Sequence, residues 1–252
     1  MLVTLATRTF TPEPTAAALR LGALARALAA GGDTVRVLTS RLAPSVARDA
    51  RQLADGGVEP GEGRGLVEVR CAPVLRDRTG AVRGYVSYMS FDVPLVARLL
   101  TGPRPDVVVS EPPPTTGAAV RIACVARRVP YVYYCADIVS DAAALAGVPG
   151  LVVRAVAGLE SFALRGARRV IAVSDGVARR ARDLGARDVV VVPNGVRVPD
   201  AVAAGTPEGF PACDGPVFVY AGTVAQWLAP EVFVDAFERA RGRLGDARLV
   251  FV

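Results

Sequence analysis

Two aspartates four residues apart, Asp137 and Asp141 in "CADIVSD", follow directly on the aromatic and β-branched run "YVYYC". A carboxylate placed just beyond a buried strand can supply transition-state electrostatics or simply hold a turn. What could work beside it is narrowed by composition. The chain has no histidine, and all 30 of its basic side chains are arginine. That removes Ser-His-Asp and Cys-His nucleophiles, histidine-ligated metals, Schiff-base chemistry and the lysine of a phosphate-binding loop. Carboxylates, arginines, hydroxyls and backbone dipoles remain.

Three other places offer such groups. In "TFTPEPTAAALR" the loop residues Pro12, Glu13 and Pro14 lead to Thr15 or Ala16, where a helix begins whose free N–H groups can face an anion. Ser174 or Asp175 in "AVSDGV" has the character of a helix N-cap, and Ser174 is either that cap or part of a site. In "VVVVPNGV" four valines run into Pro193, Asn194 and Gly195. Asn-Gly is a strong hairpin signal, but the proline-rich stretch that follows shows no period-2 pattern and rules the hairpin out.

These residues need a frame, and the hydrophobic pattern supplies one. Short runs of β-branched residues, "VTLA", "TVRVLT", "LVEVRC", "DVVVS", "YVYYC", "RRVIAVS" and "DVVVVP", alternate with helical stretches. The helices are expected at about 15–30, 45–54, 85–100, 116–127, 151–164 and 176–184. Such alternation means an α/β fold with a doubly wound parallel sheet, Rossmann-like, and ligands at the carboxyl ends of its strands. The glycine-rich "ADGGVEPGEGRG" precedes a strand and not a helix, so it reads as an exposed connection and not as a phosphate-binding fingerprint. From Arg197 to Pro216 proline, glycine and alanine dominate, as in a linker. After it, "PVFVYAGTV", a helix and "ARLVFV" read as the start of a second Rossmann-like domain.

The four cysteines, Cys71, Cys124, Cys135 and Cys213, have no metal-ligand spacing and are expected as reduced, individually buried thiols. No apolar stretch is long enough for a membrane span, and "MLVTLATRTFTPEP" reads as a first strand and not a signal peptide, so a cytoplasmic setting is expected. The net charge of +6 suggests an anionic partner, or an arginine-rich bias with no such meaning.

The blocks "FTPEPTAAALRLGALARALAAGGDTVRVLT", "RPDVVVSEPPPTTGAAVRIACVARRVPYVYYCADIVSD", "ARRVIAVSDGVARRARDLGARDVVVVPNGV" and "PVFVYAGTVAQWLAPEVFVDAFERARGRLGDARLVFV" together resemble the family 4 glycosyltransferases of the retaining GT-B type. The resemblance implies an acceptor-side domain at 1–196, a linker at 197–215 and the incomplete start of a nucleotide-sugar-binding domain at 216–252. It implies a nucleotide-sugar donor, a glycan or lipid-linked acceptor, and no nucleic acid partner, cofactor or essential metal. Asp137 would be catalytic, with Glu13, Thr15, Ala16 and Asp141 on the acceptor side. Ser174, Asn194 and Gly195 would line an interdomain cleft, Asn194 and Gly195 tolerating a positive φ as they end the last long strand. Gly222 and Thr223 would meet the donor phosphates. The glutamate pair that holds the donor in this family would lie beyond Val252, so the chain reads as an inactive fragment with Val217, Val219, Leu249 and Phe251 partly exposed. The alternative is a non-catalytic acceptor-binding or scaffold subunit that needs a separate donor-binding chain. A dinucleotide-dependent dehydrogenase is disfavoured, since no strand leads into GxGxxG. Peripheral membrane contact is a further reading, from the arginine-flanked apolar stretch "LVVRAVAGLESFALRGARR", against that of a helix packed on the sheet.

Overall fold

The computed structural model describes residues 1–13, 15–44, 46–47, 65–77, 82, 84–195, 210, 213–222 and 229–252. Most of the expected helix at 45–54 and of the glycine-rich connection, Pro14, most of the linker and Thr223 lie outside these residues. The chain divides into two compact units, one of Met1–Asp141 with Pro149–Gly195 and the other of Ala142–Val148 with Val196–Val252.

The first unit is built on seven parallel strands: β1 Leu2–Ala6, β2 Thr34–Ser40, β3 Leu66–Ala72, β4 Val107–Ser110, β5 Tyr131–Cys135, β6 Arg169–Ala172 and β7 Val189–Val191. Their spatial order is β3-β2-β1-β4-β5-β6-β7. The register is continuous across the centre, with Leu5 opposite both Val37 and Val109, and Val109 opposite Val132. A strand between two neighbours, with helices above and below, buries both faces, which is why these strands read as unbroken valine-rich runs.

The helices are α1 Ala16–Ala30, α2 Tyr85–Thr101, α3 Pro114–Arg127, α4 Val139–Leu145, α5 Gly150–Gly166 and α6 Asp175–Asp183. Successive strand residues point to opposite faces, so the core falls into two layers. Leu5, Val35, Val37 and Val109 pack with Leu21 and Ala25 of α1 on one face. Leu38, Val108, Tyr133 and Val170 pack on the other with Phe91 and Leu95 of α2, Val120 of α3 and Leu164 of α5. Contact between α3 and the sheet is close enough to require glycine at one point. A Cβ on Gly117 would lie 2.5 Å from Tyr133 Cε2 and 2.8 Å from Ala163 Cβ.

Two expectations change here. The thiols are not all buried: Cys124 and Cys135 are, but Cys71 is exposed, because β3 is an edge strand and its side chains lack a second neighbour. Burial raises the Cys124 and Cys135 thiols to about 12, which keeps them protonated and unreactive. The last strand of this sheet is also short, three residues before Val192 and Pro193, since proline cannot donate to the ladder.

In the second unit β8 Val217–Tyr220 runs parallel to β9 Arg248–Phe251, with α7 Glu231–Ala240 between them in sequence. Phe218 meets Phe237, and Tyr220 meets Phe233 and Phe251, with ring centroids 5.1 to 6.0 Å apart. Ala247 is the one buried side chain among its described residues, while Val217 and Leu249 are half-buried and Val219 and Phe251 exposed. Two strands and one helix bury little apolar surface by themselves.

Candidate functional site

In a doubly wound sheet, the strands on either side of the point where the winding reverses leave a crevice at their carboxyl ends. Here that point lies between β1 and β4, and the residues just past them are Thr7 and Arg8 on one side and Glu111 on the other. Thr7 is fully buried and Glu111 nearly so. Thr7 Oγ1 lies 2.5 Å from Glu111 Oε1 and 2.7 Å from the Thr9 carbonyl oxygen. One hydroxyl hydrogen cannot serve both acceptors. The conflict disappears if Glu111 is protonated, its O–H donating to Thr7 while Thr7 donates to Thr9.

The electrostatics favour that form. Burial raises the Glu111 carboxyl to about 7, against the opposing pull of the Thr7 hydrogen bond and of Arg20 and Arg8, and Asp137 raises it further. Arg8 stacks its guanidinium 3.8 Å above the Tyr88 ring. Its Nη1 is buried and has no hydrogen-bond partner among the described residues, and the same holds for Nε of Arg20. Asp92, 2% exposed, accepts from Thr116 Oγ1 at 2.6 Å, and burial raises its carboxyl too. The crevice floor thus holds two arginines with unused donors, one acid inclined to neutrality and a half-open edge. It is suited to a hydroxyl-rich or anionic group that brings its own acceptors.

Asp137 is exposed just beyond β5, at the next position along this edge. The segment after it is helical, where the hydrophobic pattern placed no helix between 127 and 151. Residues 139–145 form α4, because Glu160 of α5, fully buried, accepts from the N–H groups of Val139 at 2.8 Å and Ser140 at 3.2 Å and from Ser140 Oγ at 2.5 Å. A buried carboxylate thereby caps the helix from outside it. Glu160→Gln, which keeps one acceptor oxygen but loses the charge, is expected to cost about 1–2 kcal/mol of stability, read from the urea midpoint.

Asp141 sits in the first turn of α4, and both its oxygens are taken. Arg180 of α6 donates from Nε at 2.8 Å and Nη2 at 2.7 Å, holding the Asp141 carboxyl below its ordinary range. In this structure it braces α4 against α6. Glu13 is buried, 3.3 Å from Arg76 Nη2, with its carboxyl raised by burial. Thr15 is the N-cap of α1, accepting from the Ala18 N–H at 3.1 Å, and Ala16 is exposed. Ser174 is the N-cap of α6, accepting from the Val177 N–H at 3.3 Å.

Asn194 and Gly195 are both exposed beyond β7, with Tyr134 Oη donating to Asn194 Oδ1 at 3.4 Å. Neither residue takes up the positive φ it could tolerate, and a Cβ on Gly195 would meet nothing within 4 Å. Gly222, in the second unit, follows β8 and donates its N–H to the Val252 carbonyl at 3.1 Å. Along the carboxyl edge the fold therefore aligns Glu13, Thr7, Arg8, Glu111, Asp137, Ser174 and Asn194. Glu111 and Arg8 were not singled out in the sequence, although Glu111 directly follows β4 and Arg8 stands two residues beyond β1. Among the described residues no three His, Cys, Asp or Glu side chains gather as metal ligands.

The sequence profile described as "Glycosyl transferase 4-like domain" matches residues 15–195. No curated protein is a significant match to the chain. Among solved structures, sucrose-phosphate synthase from Thermosynechococcus elongatus is similar with a TM-score of 0.66 at 15% identity, over 99% of this chain and 61% of that one. UGT89C1 from Arabidopsis thaliana, complexed with UDP-L-rhamnose, gives 0.55 at 13% identity, over 99% and 68%. The S. aureus MnaA-UDP co-structure gives 0.51 at 14% identity, over 99% and 61%. The chain thus spans between 61% and 68% of the length of these three.

Proposed function

The chain belongs to the family of glycosyl transferase 4-like domains, and on that premise we propose that it forms the acceptor side of an enzyme that moves a sugar from a nucleotide-activated donor to a glycan or lipid-linked acceptor. The observation that carries the reading is the polar cluster at the β1–β4 reversal, where Thr7, Arg8, Glu111 and Asp137 meet at the carboxyl edge. In the transfer, the bond from the sugar's anomeric carbon to the donor phosphate breaks. A bond from that carbon to an acceptor oxygen forms, and the acceptor's proton leaves with the diphosphate. Neutral Glu111, with Arg8 and Arg20, orients the acceptor by hydrogen bonds. Asp137 positions the attacking hydroxyl or stabilises the positive charge that develops at the sugar carbon. The outcome proposed is retention of the anomeric configuration.

Two of the similar structures hold UDP or a UDP-sugar, so uridine diphosphate sugars are the first donors to test. Nucleotide release from a panel of such sugars, measured with and without lipid and glycan extracts, should rise when the right acceptor is present. No stimulated release with any donor from the protein that carries this domain would overturn the reading. The alternative, a non-catalytic acceptor-binding subunit, predicts release only after a second chain is added.

Peripheral membrane contact is a subsidiary part of the proposal, supported by α5. Leu151 is 72% exposed, Val152 and Phe162 are also exposed, and Arg154 and Arg165 stand on the same helix. An apolar strip with cations beside it suits an anionic bilayer surface. Vesicles of phosphatidylglycerol should carry the protein upward in a flotation gradient at low salt and release it at high salt, and Leu151→Glu should abolish flotation. Equal flotation of the variant would exclude α5.

A further inference from the structure

A cavity lies away from the carboxyl edge, on the face of the sheet beside the end of α2, with three arginines set among largely apolar walls. It encloses about 360 Å³, within the usual size of small-molecule sites, and Arg36, Arg70 and Arg98 converge on it. Register explains the convergence. Thr4 of β1, Arg36 of β2 and Glu68 of β3 are cross-strand neighbours on one face, with Leu38 and Arg70 in the next row. Arg98 reaches in from the last turn of α2. Among the described residues no carboxylate lines the cavity. Glu68, next to it, accepts from Nε of Arg36 at 2.8 Å and Nε of Arg70 at 2.7 Å, so one negative charge faces three positive ones.

The donors outnumber their acceptors. Arg98 Nη2 donates to the Arg70 carbonyl at 2.7 Å, but Arg98 Nη1 is buried and has no partner among the described residues. A buried guanidinium N–H left unmade is costly, and such groups ordinarily meet an ion or a water. Burial also lowers the Arg98 pKa, the expected response of a cation short of acceptors. The other walls hold few donors that could compete: Pro103 and Pro105 have no N–H, the Gly102 N–H is taken by the Arg98 carbonyl, and Thr101 Oγ1 donates to the Ala97 carbonyl. A neutral sugar would need acceptors as well as donors. A cavity with guanidinium groups in excess instead fits a multivalent oxyanion, which accepts several N–H groups at once.

We propose that this cavity is a phosphoryl-binding site, distinct from the transfer crevice, with Arg36, Arg70 and Arg98 as its ligands. A free anion and a phospholipid headgroup both present this phosphoryl chemistry, and the two sources separate by experiment. Calorimetric titration with inorganic phosphate and with pyrophosphate reads the first, and sedimentation with vesicles containing phosphatidic acid reads the second. Arg70→Gln is the primary variant, because its side chain is 64% exposed and its replacement removes little packing. Arg98→Gln is the companion.

Each substitution should weaken binding about tenfold or more, since each removes a charge-assisted contact. Binding of pyrophosphate that both variants weaken supports a free-anion site. Binding seen only with vesicles, and weakened by Arg70→Gln, supports a headgroup site. Affinity unchanged in Arg70→Gln would place the anion elsewhere and overturn the proposal, as would no binding by the unaltered protein in either format.

Discussion

Asp137→Asn should lower sugar transfer by about a hundredfold or more while leaving the thermal midpoint of the protein unchanged. The side chain is exposed beyond β5, so its replacement by an isosteric amide removes a charge and no packing. The transfer reaction develops positive charge at the sugar carbon, and a carboxylate at the crevice edge is worth several kcal/mol there only in the transition state. The loss should therefore fall on kcat more than on KM. A comparable Asp141→Asn change should affect activity far less, because the Asp141 carboxylate is already held by both Nε and Nη2 of Arg180. If Asp137→Asn turned over at the normal rate, the catalytic role given to it would be wrong.

Glu111→Gln should make the protein more stable at neutral pH than it is with glutamate. The carboxyl ordinarily titrates near 4.5 and in the fold is raised to about 7, mainly by burial. Because the folded value is the higher one, the folded protein keeps a proton that the unfolded chain has released. Its contribution to stability is complete below pH 4.5, declines as the pH rises towards 7 and changes no further above it. The difference corresponds to about 3 kcal/mol lost across that window. Glutamine carries the same hydrogen bond to Thr7 without the titration, so the variant's stability should fall less than the parent's between pH 5 and 8, the remaining slope coming from other buried carboxyls such as Glu13 and Asp92. Urea unfolding at pH 5, 6, 7 and 8 gives the comparison. Parallel pH dependence in both proteins would show that Glu111 does not hold its proton in the fold.

The parts of this structure that could be read in the sequence are those set by local pattern. Runs such as "DVVVS" and "YVYYC" announce strands buried on two faces, and Thr15 and Ser174 mark helix starts with their own side chains. Helix α4 could not be read in this way. Its stretch "VSDAAAL" starts without a local cap, and the cap is Glu160, brought in by α5 from 21 residues beyond Val139. The site divides along the same line. The position of Asp137 just beyond β5 was legible because the strand was. Glu111 was not, since "SEPPP" reads as a proline-rich exit, and its burial against Thr7 depends on β4 lying beside β1, a neighbour 104 residues away in the chain. The Asp141–Arg180 pair likewise needs two helices to meet before its bracing role can be seen. The positive φ that Asn194 and Gly195 could tolerate is a matter of residue preference alone, and neither residue adopts it.

The account rests on the crevice at the carboxyl ends of β1, β4 and β5 receiving the acceptor. Amide hydrogen exchange, with and without the acceptor that stimulates nucleotide release, tests that most directly. The account predicts protection at residues 7–13, 111–117 and 135–141, and none at Arg36, Arg70 or Arg98. Protection absent from all three carboxyl-end segments, with the acceptor demonstrably bound, would contradict it.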